Sequence, residues 1–209
     1  MSEKKGKKNT CEKCRRHFYE RVRNQKLCHS CQKSELIPDG SSVLLSLTIV
    51  PGGYDEEKLG WTDGYATKGK TGAIYLNCKF SVLSAPHRGK SFSGLIGLKS
   101  PKGPWWGNKG SEIIRRILES ESNISSNDVS WEACNARCIK SLGDLDGSVF
   151  EARVRTVKSQ NGKWETQIDE VLSPDVKEII NNTDLKDNAA EFGQGTKPES
   201  TLSIPMWLN

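Results

Sequence analysis

The chain has 209 residues, of which 34% are hydrophobic and 27% are charged, and its net charge is +5. Such a polar chain is long enough for one ordinary domain with a small appendage. It shows neither an apolar run long enough for a membrane span nor an apolar segment typical of a secretory signal, so we expect a cytoplasmic protein. Seven cysteines in a reducing compartment favour metal ligands or buried thiols over disulfides.

Positive charge is concentrated at the N-terminus. The first 33 residues contain eleven Lys and Arg against three Glu, a net charge of +8, so the remaining 176 residues carry −3. A basic end on a nearly neutral body indicates a polyanionic partner. Residues 1–10 are predicted to be a disordered basic arm.

Two C-x-x-C knuckles follow this arm, separated by thirteen residues, and they consist of Cys11, Cys14, Cys28 and Cys31. Paired knuckles supply four thiolates for a tetrahedral zinc ion, and so short a segment has few other means of folding. We therefore predict one structural zinc ion in residues 11–35. His17 and His29 lie close enough in sequence to be alternative ligands.

The loop between the knuckles carries cations beside aromatic residues. Its arginines are Arg15, Arg16, Arg21 and Arg23. Cations interleaved with Phe18 and Tyr19 suit phosphate contact and base stacking. The alternative is that these two rings pack on the zinc site.

A linker is predicted at residues 36–42, followed by a first strand at residues 43–50. Residues 54–72 are polar and rich in glycine, which indicates a long loop with a short strand near Trp61, and this loop also contains Tyr65.

The same loop matches the P-loop pattern at residues 64–71, G-Y-A-T-K-G-K-T. A P-loop leaves a buried strand and enters a helix, whereas here a polar segment precedes the motif and a strand-like alternation follows it. We therefore do not expect an NTPase.

A hairpin over residues 73–98 is the clearest structural signal. Buried-type residues alternate with polar ones in its first strand, so that one face builds a core and the other presents Tyr75 and Lys79 to solvent. Pro86 and Gly89 reverse the chain at a basic tip, and residues 91–98 return as a second strand.

A loop rich in Gly and Pro is predicted over residues 99–110, with Trp105 and Trp106 between lysines. This composition is typical of a base-stacking platform, although a tryptophan plug over a barrel end is the alternative. A helix then begins at Ser111, with its isoleucines and leucine on one stripe and, on the opposite side, Arg115, Arg116, Glu119 and Glu121.

A second helix is predicted at residues 130–142, with Trp131, Cys134 and Cys138 on one face and both cysteines buried. Strands at residues 148–158 and 163–172 are joined by an Asn-Gly turn, and the domain extends to residue 182. Residues 183–209 form a predicted disordered tail whose hydrophobic tip is expected to bind a partner protein through Ile204, Pro205, Met206, Trp207 and Leu208.

These elements predict a mainly β protein with a helical insertion, as an OB-like barrel at residues 43–182 preceded by the four-cysteine zinc module. The run from Tyr75 through Pro86-His-Arg-Gly-Lys to Trp106, and the segment at residues 145–154 with its Asn-Gly hairpin, resemble a phage-encoded family of small replication-cluster proteins. The resemblance covers about residues 43–172. The zinc module is an addition to that family, and the tail lacks the strongly acidic tip of bacterial single-strand binders.

The resemblance implies an OB fold that binds single-stranded DNA without sequence preference during phage replication or recombination, in the cytoplasm of a bacterial host. Residues expected to contact phosphate are Lys79, Arg88, Lys90, Lys99, Lys102 and Lys109. Residues expected to stack on bases are Tyr75, Phe92, and Trp105 or Trp106, and Trp61 and Tyr65 are also expected to contact the nucleic acid. Phe92 could instead belong to the core because it alternates with two serines.

Two other classes of function were compared with this one. The histidines and acidic residues form no recognisable catalytic cluster, so we expect neither an enzyme nor a small-molecule substrate. The main alternative is a zinc-ribbon adaptor that recruits replication or transcription proteins without itself binding single strands.

Overall fold

The structure is a computed structural model that describes residues 7–19, 25–28, 30–31, 36–159 and 161–174. Several predictions fall outside these residues: most of the basic arm, Arg21, Arg23, His29, and residues 175–209 with the proposed partner-binding tip.

The N-terminal module contains a short antiparallel pair, β1 (Lys8–Thr10) and β2 (His17–Tyr19). Residues 8–10 were predicted to be disordered, but their backbone pairs with β2, and the Asn9 side-chain amide donates to the carbonyl of Gln25 over 3.3 Å. Between the strands, Arg15 adopts a φ of 60°, and its N–H donates to the Cys11 carbonyl over 2.9 Å. This tight turn forms the first knuckle.

Seven further strands form one antiparallel sheet. They are β3 (Ser42–Val50), β4 (Tyr54–Glu56), β5 (Trp61–Lys68), β6 (Ile74–Val82), β7 (Ser91–Lys99), β8 (Val149–Lys158) and β9 (Trp164–Val171). β6 pairs with β7 along one edge, and with β3 and then β5 along the other. β3 also pairs with β8, which pairs with β9.

The sheet curls into a half-barrel along the path β7-β6-β3-β8-β9. Its ends approach each other, since Cα atoms of β7 and β9 come within 8 Å although no ladder joins these strands in the described part of the chain. The predictions of a mainly β domain, of the β6–β7 hairpin and of the Asn-Gly hairpin between β8 and β9 are confirmed.

The core lies inside the curl because the strands alternate. Along β6, buried residues at 74, 76, 78, 80 and 82 alternate with half-buried or exposed ones. Leu45 and Leu47 from β3 and Phe150 from β8 are fully buried against them. Ile37 is also in this core, with 2% of its surface exposed, so the segment predicted to be a linker is part of the main domain.

The long helix α1 (Trp105–Glu121) begins six residues before the predicted start at Ser111. The glycines that suggested a loop permit a close helix–strand contact instead. A Cβ on Gly107 would lie 2.6 Å from the carbonyl oxygen of Leu98, and a Cβ on Gly110 would overlap the carbonyl oxygen of Gly97. Only glycine allows α1 to approach β7 so closely.

Replacing Gly110 by Ala should therefore destabilise the protein by about 1–3 kcal/mol, the usual cost of overpacking. The sign of this change in the free energy of unfolding is informative, because at an exposed helix position Ala is more favourable than Gly by about 1 kcal/mol. Asn108→Ala, at an exposed position of the same helix, is the control and should be neutral or slightly stabilising. Urea denaturation of both variants checks this, and a stabilised Gly110→Ala protein would contradict the contact with Gly97.

Three other predictions need correction. The segment at residues 54–72 contains β4, a 3-10 turn (Glu57–Leu59) and β5 rather than a loop. The predicted second helix is shorter, α2 (Trp131–Ala136), and is followed by a separate 3-10 turn (Leu142–Leu145). Trp131 is 74% exposed, and both Cys134 and Cys138 are exposed, because this short helix turns only Ala133 into the protein.

The P-loop-like motif lies in β-structure. Its first five residues belong to β5, and after a turn the chain enters β6 rather than a helix. No helix in the part of the chain that the structure describes has both the length and the apolar composition needed to cross a membrane.

Candidate metal centre and nucleic-acid interface

The two knuckles bring four thiols together, those of Cys11, Cys14, Cys28 and Cys31. Their Sγ atoms all lie within 4.8 Å of one another, and those of Cys14 and Cys28 are 3.6 Å apart. A tetrahedral zinc ion with Zn–S bonds of about 2.3 Å requires sulfurs about 3.8 Å apart. The predicted cysteines therefore form a cluster that could hold a metal ion, and four thiolates suit zinc or iron.

The structure does not support His17 as an alternative metal ligand. Its Nδ1 lies 3.1 Å from Oγ1 of Thr10, across the β1–β2 pair, and His17 is not a member of the cluster.

The cluster has unequal thiol acidities. Burial raises the pKa of Cys11, but backbone N–H groups of Cys14, Cys28 and Lys13 outweigh it and lower the pKa to about 6. The pKa of Cys31 rises to about 12, first because of a side-chain hydrogen bond with Cys14 and then because of burial. A thiolate therefore forms readily at one position and with difficulty at another. A bound divalent cation would remove this conflict by displacing the remaining protons.

Cations in the main domain differ in their partners. One arginine on α1 and two on β8 are paired with carboxylates: Arg116 with Glu112 and Glu170, Arg153 with Glu170, and Arg155 with Asp169. By contrast, Lys79, Lys99, Lys102 and Lys109 have no ion pair or side-chain hydrogen bond to any other described residue. No described carboxylate therefore neutralises the positive charge of these four lysines, which were predicted to contact phosphate.

The other two predicted cations are tied to backbone carbonyls rather than to acids. Arg88 donates from Nε to the carbonyl of Leu83 over 2.8 Å, and Lys90 donates from Nζ to the carbonyl of Leu36 over 3.0 Å. Their charges are therefore oriented but not neutralised.

The outer face of β6 and β7 has the predicted mixture of a ring and a cation. Lys79 is exposed between Thr48 on β3 and Ser93 on β7. Tyr75 is half-buried on the same face, in register with Gly97 of β7. Trp106 covers Gly97 beside Tyr75, so the open part of this face is the part that carries Lys79.

Both tryptophans of the predicted stacking platform line one groove, which we call the Trp105 groove. It has a volume of about 630 Å³ and lies between the β5–β6 turn at residues 71–73 and the segment at residues 100–108, which includes Lys102. Trp105 is 70% exposed. Trp106 packs over Gly97, and its indole N–H is buried with no hydrogen-bond partner among the residues that the structure describes.

Three aromatic residues that were predicted to contact nucleic acid lie instead against the core. Trp61 and Tyr65 are half-buried beside it, and Tyr65 also covers Gly143. The ring of Phe92 lies 5.3 Å from that of Phe80, which fits the alternative that it is a core residue. Arg15 and Arg16 are exposed on the first knuckle.

Sequence reasoning missed Lys70, which adjoins the Trp105 groove in the β5–β6 turn and is exposed. Neither a scan against protein-family models nor a search of curated proteins gave a match to this chain. Functional conclusions therefore depend on its own residues.

Proposed function

We propose that the chain is a sequence-independent single-stranded-DNA-binding protein built on an OB-type barrel. The path β7-β6-β3-β8-β9, with α1 between β7 and β8, supports this proposal because an OB fold is a partly open, five-stranded Greek-key barrel. In such a barrel β6 and β7 would be the second and third strands, whose outer face binds oligonucleotides in OB domains.

The observation that carries the proposal is the Trp105 groove, whose lysines form no ion pair with another described residue. An exposed indole, a second indole and Lys102 line one groove, and Lys70, Lys99 and Lys109 each adjoin a lining residue in sequence. Ammonium groups without carboxylate partners attract phosphates and release the counterions of the nucleic acid. Every base offers a flat face to an indole, so stacking here requires no particular sequence.

The zinc module has a supporting role in this proposal. A closed four-thiolate site offers no open coordination position, so the metal would fold the module and not perform chemistry. Exposed Arg15 and Arg16 would then add phosphate contacts beside those of the sheet. The resemblance to phage replication-cluster proteins suggests DNA replication or recombination as the process, with the tip at residues 204–208 as a contact for replication proteins.

Replacing Trp105 by Ala should weaken the binding of a fluorescently labelled oligo-dT by about 5- to 150-fold, the equivalent of losing one stacked base. Trp131→Ala is the matched control, because its indole is 74% exposed but is not in the groove. Fluorescence anisotropy at fixed salt measures both. Equal affinity in the two variants would show that the groove does not hold a base.

The adaptor remains the second candidate, and one observation favours it. Trp61, Tyr65 and Phe92 lie against the core, so fewer rings are available for stacking than the sequence indicates. An adaptor would bind its partner protein in a metal-dependent way and would leave an added single strand unbound.

A further inference from the structure

A second groove lies where the curled sheet fails to close, between the first residues of β7 and of β9. We call it the seam groove, and it has a volume of about 510 Å³. β7 and β9 run parallel, because each is two antiparallel steps from β3. No ladder joins them in the described residues, so the space between their starting residues is open to solvent.

The lining of the seam groove combines rings, hydroxyl groups and cations. Trp164 supplies a half-buried ring, Phe92 lines the groove from its packed position beside Phe80, and Ser91 and Ser93 supply hydroxyls. Lys90 and Lys163 contribute two positive charges against the single carboxylate of Glu165. Rings beside a net positive charge fit a nucleobase with its phosphate better than they fit a neutral apolar ligand.

The segment that leads from the zinc module forms one wall of this groove. Leu36 and Ile37 line it, and the Leu36 carbonyl accepts from Lys90 Nζ over 3.0 Å. The residues that follow are bound to β8. The Ile37 carbonyl accepts from the Thr156 hydroxyl over 3.1 Å, and the Asp39 carboxylate accepts from the Thr156 N–H over 2.8 Å. The wall is therefore anchored to the barrel.

This anchoring limits how far the metal cluster can lie from the groove. Cys31 precedes Leu36 by five residues. Five residues of fully extended chain span at most about 18 Å, whatever their conformation. Arg15 and Arg16 lie in the turn after Cys11, whose thiol shares the cluster with Cys31, so these exposed cations are tethered to the wall of the seam groove by a short stretch of chain.

We infer that the seam groove is a second base-and-phosphate subsite for the same single strand, at the point where that strand passes from the sheet to the zinc module. The inference rests on the proposed function and extends it to Trp164 and Lys163. Phe92 in β7 lines the seam groove, and Ser100, the residue directly after β7, lines the Trp105 groove. They are eight residues apart, which corresponds to about 27 Å of extended chain. A strand that fills both grooves therefore needs several nucleotides, within the range of about 4–16 found for OB folds.

A length series of labelled oligo-dT tests the inference with full-length protein and the Trp164→Ala variant. Short oligomers can fill the Trp105 groove alone, so their affinity should not change. Oligomers long enough to reach both grooves should bind the variant at least about 5-fold more weakly than wild type. Trp131→Ala is the matched tryptophan control and should behave as wild type at every length.

Lys163→Gln provides an independent test that does not remove a half-buried ring. Lys163 is exposed, and its loss should reduce the slope of log affinity against log salt by about 0.7 for long oligomers, the value for one phosphate on a single strand. Lys140→Gln, at an exposed position outside both grooves, is its control.

The possible results separate the inference from the function on which it rests. If wild type binds long oligo-dT, but Trp164→Ala and Lys163→Gln match their controls at every length, the seam groove is not a subsite and the proposed function stands. If wild type binds no oligo-dT at any length, both the function and the inference are wrong. A Trp164→Ala protein that fails to fold leaves Lys163→Gln to decide.

Discussion

Replacing Cys14 by Ser is expected to abolish stoichiometric metal binding and to unfold the N-terminal module while the main sheet stays folded. The module has almost no core, since its strands have three residues each and Cys11 is its buried hydrophobic residue among those described. Binding a structural zinc ion releases about 10–16 kcal/mol in small zinc modules, which is far more than such short strands supply.

Metal content by native mass spectrometry checks this prediction, with one ion per chain expected in wild type. Cys134→Ser is the matched control, because Cys134 is exposed on α2 and lies outside the cluster. The absorption spectrum distinguishes colourless zinc from iron. A Cys14→Ser protein that keeps a full equivalent of metal would contradict the four-thiolate site.

Glu119→Gln should destabilise the main domain by about 3–5 kcal/mol, because it removes the charge that two arginines share in the interior. The Glu119 side chain is 2% exposed, and its Oε1 accepts from Nε of Arg115 and from Nε of Arg137, each over 2.8 Å. Arg137 also donates to the carbonyls of Asp128 and Ser125, over 2.6 and 2.7 Å. Glu119 thereby orients the groups that attach the segment after α1 to the helix.

Glu112→Gln is a close control for this effect. It removes another carboxylate of α1 in an i,i+4 ion pair with arginine, but there the Glu side chain is 55% exposed, and such pairs contribute about 0–1 kcal/mol. In urea denaturation, the midpoint of Glu119→Gln should lie far below that of wild type, whereas the midpoint of Glu112→Gln should be almost the same as that of wild type. Equal midpoints would mean that the network does not hold the segment in place.

Glu119 also shows where sequence reasoning stops. The helical period puts it on the face opposite the apolar stripe, which predicts exposure. It is buried because Arg137, eighteen residues later in the chain, folds back over it. A contact of this kind depends on the path of a later segment, so no local pattern reveals it.

Alternation and turn chemistry, by contrast, are local and predict well. The strict period of β6 and the Asn161-Gly162 turn gave the two main hairpins. Glycine was misleading in α1, because Gly107 and Gly110 serve a close approach to β7 and not a flexible loop. The choice between these two uses of glycine requires knowledge of the neighbouring strand.

The candidate site was predictable to the extent that it is encoded by spacing. Two C-x-x-C knuckles identified all four members of the thiol cluster. The stacking residues were harder, since composition does not say which ring faces outward: Trp105 does, whereas Phe92 lies beside Phe80. Trp164 was not singled out, because the groove that it lines exists only once β7 and β9 come together.

The proposed binding of single-stranded DNA is best tested by a titration of wild-type protein with oligo-dT. The titration is repeated at several salt concentrations, and intrinsic tryptophan emission is followed. We expect quenching as bases stack on Trp105. We also expect log affinity to fall linearly with log salt, because the lysines at the groove, which have no carboxylate partner among the described residues, contact phosphates. Unchanged emission and no binding at low salt would contradict the proposed binding.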